Sequence, residues 1–187
     1  MGHLMRGATA VFVSGLWAAG KSSCLRHLKH EATQAANFWS IKNYEAAHTL
    51  RRARTTGIGA SDLRVYYTYV AASFRGVIEA EISKNNLTIF EVSPPLLFRF
   101  LDLADQAFYL NTPKHKCAER LALREGWPLK RALRMIEAQW QLTHGHKTFW
   151  ARVESVDDTQ LLRSLRQIIA HERATVMNNP EREEQPR

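Results

Sequence analysis

The chain has 187 residues, 45% of them hydrophobic and 24% charged, the composition of one soluble globular domain. A chain of that size can build its core without disulfides or a structural metal. Two cysteines, Cys24 and Cys117, with no Cys/His cluster at zinc-ligand spacing and no apolar run near the roughly 18 residues of a membrane span, exclude a disulfide scaffold, a zinc module and a helical membrane protein. A reduced, cytoplasmic setting is the expectation.

The net charge of +8 is localised. Residues 114–134 hold seven Lys/Arg against two acids, and residues 42–64 hold five against two; together they carry the whole excess. Two positive regions face either anionic ligands or solvent.

In chain order, residues 10–14 (Ala-Val-Phe-Val-Ser) predict a first strand and 21–35 a helix. Strand 37–41 follows, then a long helix over 61–84, with Ser61 as N-cap and Asp62 in its first turn. Its apolar face is read as Leu63, Tyr66, Tyr69 or Val70, Ser73, Val77 and Ile82. Strand 87–91, helix 94–101, strand 106–110 and helices 113–123 and 128–143 come next. Residues 149–153 are read as a fifth strand and 159–173 as a last helix, with Leu161, Leu165, Ile168 and Ile169 as a core stripe. Strands alternating with helices predict an α/β domain with a parallel sheet over about residues 6–174, and residues 175–187 are expected to be a disordered tail.

The first strand runs into Gly15-Leu16-Trp17-Ala18-Ala19-Gly20-Lys21-Ser22, which fits G-x-x-x-x-G-K-[ST] between a strand and a helix. Gly15 and Gly20 permit the tight turn and close backbone approach. The N–H groups through Ala18, Ala19, Gly20, Lys21, Ser22 and Ser23 can then surround a phosphate at a helix N-terminus. Lys21 would reach the β- and γ-oxygens of a nucleotide and Ser22 would hold Mg²⁺. Trp17 is expected to pack outside the loop. No Asn-Lys-x-Asp guanine signature occurs, and the third strand ends Ile89-Phe90-Glu91-Val92-Ser93, without the aspartate followed by glutamate of motor ATPases.

Phe108-Tyr109-Leu110-Asn111-Thr112-Pro113, followed by Glu119-Arg120-Leu121-Ala122-Leu123-Arg124, resembles the strand, loop and lid-entering helix of the P-loop nucleoside and nucleotide kinase superfamily. The stretch from Arg124-Glu125-Gly126-Trp127-Pro128 through Arg131 and Arg134-Met135-Ile136-Glu137-Ala138-Gln139 looks like the lid of dephospho-coenzyme A kinase. The resemblance implies a three-layer fold with a five-stranded parallel sheet, helices on both faces, and a mobile arginine-bearing lid at about 120–140. It also implies ATP as donor with Mg²⁺ as cofactor, with Arg120, Arg124 and Arg134 on ATP and Arg131 as a fourth. Spacing agrees, since Arg120 and Arg124 are four apart and Arg131 and Arg134 three apart, each pair on one helix face.

In that superfamily the acceptor lies over the ends of the second and third strands, here Lys42-Asn43-Tyr44-Glu45 and Glu91. Transfer to a hydroxyl wants one carboxylate to receive the proton and another to hold Mg²⁺, and Glu45 and Glu91 are the acids available. Deoxynucleoside kinases carry a strand-end glutamate at the position of Glu91, but the arginine that follows it there is Val92 here. Dephospho-coenzyme A kinases carry an acid near the end of the second strand, where this chain has Asn43 and Glu45. Arg51, Arg52, Arg54, Arg64 and Tyr66 are the candidate acceptor-binding residues, followed by Tyr67, Tyr69 and Phe74, whose spacing also suits core packing. Arg99 and Pro94-Pro95 lie near the third strand, and His144-Gly145-His146 lacks a carboxylate partner for a metal.

The chain thus reads as a kinase that moves the γ-phosphate of ATP to a hydroxyl of a nucleotide-type acceptor. Two acceptor scales are open: a free nucleoside, nucleotide or dephospho-coenzyme A-like metabolite, or a nucleic acid lying along the 51–64 segment. In size, charge and divergent acceptor residues the chain also resembles the viral P-loop kinases that phosphorylate 5-hydroxymethyluracil in DNA, which would place it in a host cytoplasm. The alternative class is a catalytically silent nucleotide-binding module, which would have no use for a lid with several arginines.

Overall fold

The computed structural model describes residues 8–32, 35–41 and 60–178, with side chains from residue 63 onward in the last span. Asn43, Glu45, Arg51, Arg52 and Arg54 therefore lie outside the described residues. The elements are β1 (Thr9–Ser14), α1 (Lys21–Glu31), β2 (Asn37–Ser40), α2 (Ala60–Lys84), β3 (Leu87–Glu91) and α3 (Pro94–Phe100). They continue with β4 (Gln106–Leu110), α4 (Lys114–Glu125), α5 (Leu129–His144), α6 (Lys147–Trp150), β5 (Glu154–Val156) and α7 (Asp158–Asn178).

All strand pairs are parallel, and the sheet order is β2-β3-β1-β4-β5. The central strands are buried on both faces, which is why β1 and β3 read as nearly continuous apolar runs. Phe12, Phe90 and Trp39 are in register and share one face. Phe12 stacks on Phe90 at 4.8 Å, Trp39 meets Phe90 edge-on at 5.8 Å, and α3 and α2 close over them through Phe100 and Phe74. Helices α2, α3 and α5 pack together on that side, while α1 and α7 pack on each other across the sheet. Leu161, Leu165 and Ile169 are buried and Ile168 packs against the core, the expected stripe of α7.

Loops and caps set where helices begin and end. Gly20, in the left-handed region with φ of 113°, opens α1, and Gly126, at 65°, closes α4. Helix α7 begins with a reciprocal cap, the Gln160 N–H donating to Asp157 Oδ1 and the Asp157 N–H to Gln160 Oε1. At its back, Arg166 forks onto the Glu31 carboxylate and Arg173 donates to the Glu31 carbonyl, fastening α7 to the end of α1.

Three local expectations need correction. Residues 149–153 are not a strand: Phe149 and Val153 are buried four residues apart, the spacing of a helical turn, and the fifth strand is the three residues that follow. The phase of α2 is also different. Tyr67, Ala71 and Ile78 join the expected Leu63, Val70 and Ile82 inside, while Tyr69 is 73% exposed and Val77 points outward. Finally, α7 continues through residues 174–178 before the described residues end.

Gly15 has φ of 151°, and a Cβ there would sit 3.0 Å from the Leu110 carbonyl oxygen and 3.2 Å from its Cβ. Gly15→Ala combines a strained conformation with a clash against backbone. It is expected to cost about 2 kcal/mol, read as a lower thermal midpoint, and an unchanged midpoint would refute the close approach of β4 to the loop.

Candidate active site

The loop between β1 and α1 frames a cavity of about 980 Å³. Residues 17–24 form its floor, Glu91, Val92 and Ser93 the end of β3, and Leu110 to Pro113 the β4–α4 turn. Arg120, Arg124 and Glu125 of α4 lie along the lid side, with Asp157 and Asp158 at the start of α7. Sequence reasoning missed Arg26 and Lys116, which line the same cavity; both follow from helical spacing, Lys116 lying four residues before Arg120 and Arg26 four after Ser22.

Lys21 is buried, with its Nζ donating to the carbonyls of Gly15 at 2.6 Å and Leu16 at 3.0 Å. The ammonium thus lies folded into the turn of its own loop. Ala18 adopts a left-handed φ of 59°, unusual for a residue with a Cβ and a conformation that helps wrap the loop. Helix α4 and the turn before it are fastened to this loop at the Ala19 carbonyl, to which Thr112 Oγ1 and Arg120 Nη1 both donate, at 2.8 and 3.2 Å.

Glu91 stands at the C-terminal end of β3, on the central part of the sheet and next to the loop. Its carboxylate is buried and accepts from Ser22 Oγ at 2.6 Å on Oε1 and from Ser40 Oγ at 3.2 Å on Oε2. Ser40, at the end of β2, was not singled out from sequence; its register opposite Glu91 is what brings it there. A loop hydroxyl hydrogen-bonded to a strand-end carboxylate is a pair of hard oxygen donors, the chemistry that suits Mg²⁺, which usually takes one or two protein oxygens and completes its shell with phosphate and water. Among the described residues no group of three His, Cys, Asp or Glu side chains could hold a metal. The donor set at the end of β3 is thus the Ser22 hydroxyl and the Glu91 carboxylate, oxygen ligands whose chemistry would suit Mg²⁺.

The remaining candidates are placed as follows. Arg120 and Arg124 are at the cavity, Arg124 donating from Nε to Glu125 Oε1 at 2.7 Å. Arg131 lies over the Trp127 ring at 4.4 Å, and Arg134 is exposed; neither lines the cavity, so the structure separates the two arginine pairs of the lid. Arg64 is exposed on the first turns of α2, and Tyr66 packs edge-on against Tyr67 at 5.3 Å. Arg99 donates to Thr68 Oγ1. Trp17 lines the cavity as well as packing on the core, which differs from the expected outer position. His144 stacks on Trp140 and His146 on Phe98, so each ring of the His-Gly-His turn has an aromatic partner.

Both cysteines are buried thiols near the site. Burial pushes Cys117 up to about 11, although Lys21 and Arg120 pull it the other way, and burial with Asp158 raises Cys24. Both shifts favour the neutral thiol over the reactive thiolate.

The parallel sheet in the order β2-β3-β1-β4-β5, the phosphate loop after its central strand and the helical pair α4–α5 beside it make this the fold of the P-loop kinases. Among solved structures, TT1252 from Thermus thermophilus superposes with a TM-score of 0.58 at 16% identity, covering 88% of this chain and 97% of that one. Shikimate kinase from Bacteroides thetaiotaomicron gives 0.56 at 11% identity over 87% and 98% of the two chains. A gluconokinase from Sinorhizobium meliloti 1021 gives 0.52 at 15% over 96% and 99%. No family model and no curated protein matches the chain in sequence. Among the described residues no helix is long and apolar enough to cross a membrane.

Proposed function

We propose that the protein is a phosphotransferase that moves the γ-phosphoryl group of ATP to an alcohol group of its acceptor. The observation that carries the reading is the Ser22–Glu91 hydrogen bond beside the buried Lys21, inside a cavity that also holds Arg120 and Arg124. The start of α1 would bind the phosphates, with Lys21 released from its loop carbonyls to the β- and γ-oxygens. Arg120 and Arg124 would lie along the transferring group, and Arg134 with Arg131 would reach it only through movement of the lid. Ser22 and Glu91 would hold Mg²⁺, which when bound neutralises charge on the β- and γ-oxygens. Glu91 or Glu45 would receive the hydroxyl proton. A silent nucleotide-binding module would leave several cavity arginines without a task.

For the acceptor, the positive 42–64 stretch and its aromatic neighbours support a nucleotide-type molecule held by Arg51, Arg52, Arg54, Arg64 and Tyr66. Two forms fit that chemistry. In one, a hydroxymethylated base such as 5-hydroxymethyluracil is phosphorylated within DNA, its backbone lying along the arginines. In the other, a free metabolite is enclosed; the structural neighbours named for shikimate and gluconate kinases act on small hydroxylated molecules by those names, which supports this form equally.

The experiment is transfer of labelled γ-phosphate from ATP to free nucleosides, nucleotides and dephospho-coenzyme A in one set, and to DNA containing hydroxymethylated bases in another. Label on a base in digested DNA is the outcome expected of a DNA-modifying kinase. Label confined to a small molecule would refute that form and assign the arginine segment to a metabolite. No transfer to either set would count against an alcohol-directed kinase of nucleotide-type acceptors.

A further inference from the structure

One fully buried side chain ties together three parts of the molecule that are far apart in sequence. Gln139, on α5, has no exposed surface. Its Oε1 accepts the backbone N–H of Trp17 in the phosphate loop at 2.9 Å, and its Nε2 donates to the hydroxyl of Tyr67 on α2 at 3.2 Å. The partners lie 122 and 72 residues away along the chain, and Tyr67 is itself buried. Helix α5 packs on both α4 and α2, so the carboxamide sits where the lid helices, the donor loop and the helix leading out of the 42–59 segment meet.

The direction of the Trp17 peptide matters. In a loop whose N–H groups surround phosphate, this N–H instead points at α5, one residue before the left-handed Ala18. A carboxamide offers an acceptor and donors at opposite edges of one rigid plane, so a shift of the Trp17 peptide on phosphate binding is passed to the Tyr67 hydroxyl, or strains both bonds. An apolar side chain of equal volume would fill the space without transmitting the shift.

We propose that Gln139 is a positioning residue that fixes the Trp17 peptide of the phosphate loop and couples occupancy of that loop to helix α2 on the acceptor side. The proposal rests on the phosphotransferase reading only in taking Mg²⁺-nucleotide as the ligand of the loop. The coupling runs both ways, since a ligand that moves α2 must change nucleotide affinity by the same factor.

The test is amide hydrogen exchange of the full chain with and without the β,γ-imido analogue of ATP and Mg²⁺, followed in residues 15–23 and 63–71. In the wild type the analogue is expected to slow exchange in both segments, by about tenfold in the second. In Gln139→Met and in Tyr67→Phe the slowing should persist in residues 15–23 and vanish in 63–71. A purely structural role for Gln139 would lower global stability yet leave the nucleotide-dependent change in α2. That result in both variants, or a wild type that protects the loop with no change in α2, overturns the coupling. Should Gln139→Met fold poorly, Tyr67→Phe decides alone, because it removes a single oxygen. A wild type that shows no protection of residues 15–23 overturns the nucleotide-loop reading itself and the coupling with it.

Discussion

Lys21→Ala is expected to lower turnover by about a thousandfold or more while the chain keeps its fold. The side chain is buried but belongs to the cavity, and its ammonium donates to the Gly15 and Leu16 carbonyls of its own loop. Losing these bonds leaves the Gly15 and Leu16 carbonyls short of a donor, a cost of about 1–2 kcal/mol. The loss in rate is expected to be larger because the buried Lys21 ammonium would act directly on charge that develops in transfer. Two readouts separate these effects: a thermal melt close to wild type, and a collapse of phosphate transfer, or of ATP hydrolysis when no acceptor is added. Near-normal turnover would mean that the loop does not serve phosphate.

Glu91→Gln is expected to lower turnover by about a hundredfold to ten-thousandfold. The replacement keeps the shape, and the amide oxygen can still accept from Ser22 or Ser40, so the fold should persist. What is lost is the negative charge and one acceptor oxygen. If Glu91 chiefly holds Mg²⁺ with Ser22, the variant should need far more Mg²⁺ for half-maximal rate. If Glu91 chiefly receives the hydroxyl proton, the deficit should remain at saturating Mg²⁺. An unchanged rate under both conditions would pass the role of base to Glu45.

Much of the fold could be read from sequence because the strands β1 and β3 are buried on both faces and the phosphate loop fixes what precedes and follows it. The floor of the site was legible for the same reason, since eight consecutive residues carry their own geometry. The phase of α2 was not. Tyr66-Tyr67-Thr68-Tyr69-Val70 places aromatic or branched residues at nearly every angle, and it takes the tertiary contacts, that of Tyr67 with Gln139 among them, to show that Tyr67 faces inward. The fifth strand was misread because Phe149 and Trp150 carry high β-propensity, whereas their neighbours bury at helical spacing. Ser40 and Gln139 left no local signal at all. Each acts through a partner on a different element, and a register or a helix crossing has to be known before either can be found. The lid arginines were visible as charge, but their division between the cavity and the outer face of α5 depends on where the turn at Gly126 directs the second helix.

The position of β1 at the centre of the sheet shapes how the protein must assemble. Thr9 pairs with Leu87, and Val11 with Gln106, so the strand that carries the phosphate loop finds both neighbours only after some eighty to one hundred further residues exist. Closing such long loops is entropically costly before any pairing offsets it, which makes the nucleation of this sheet slow compared with its helices. During synthesis the phosphate loop would leave the ribosome well before β3 and β4 and take its shape only when they arrive. Until then its apolar strand stays exposed to water, an aggregation hazard built into the order of the sheet.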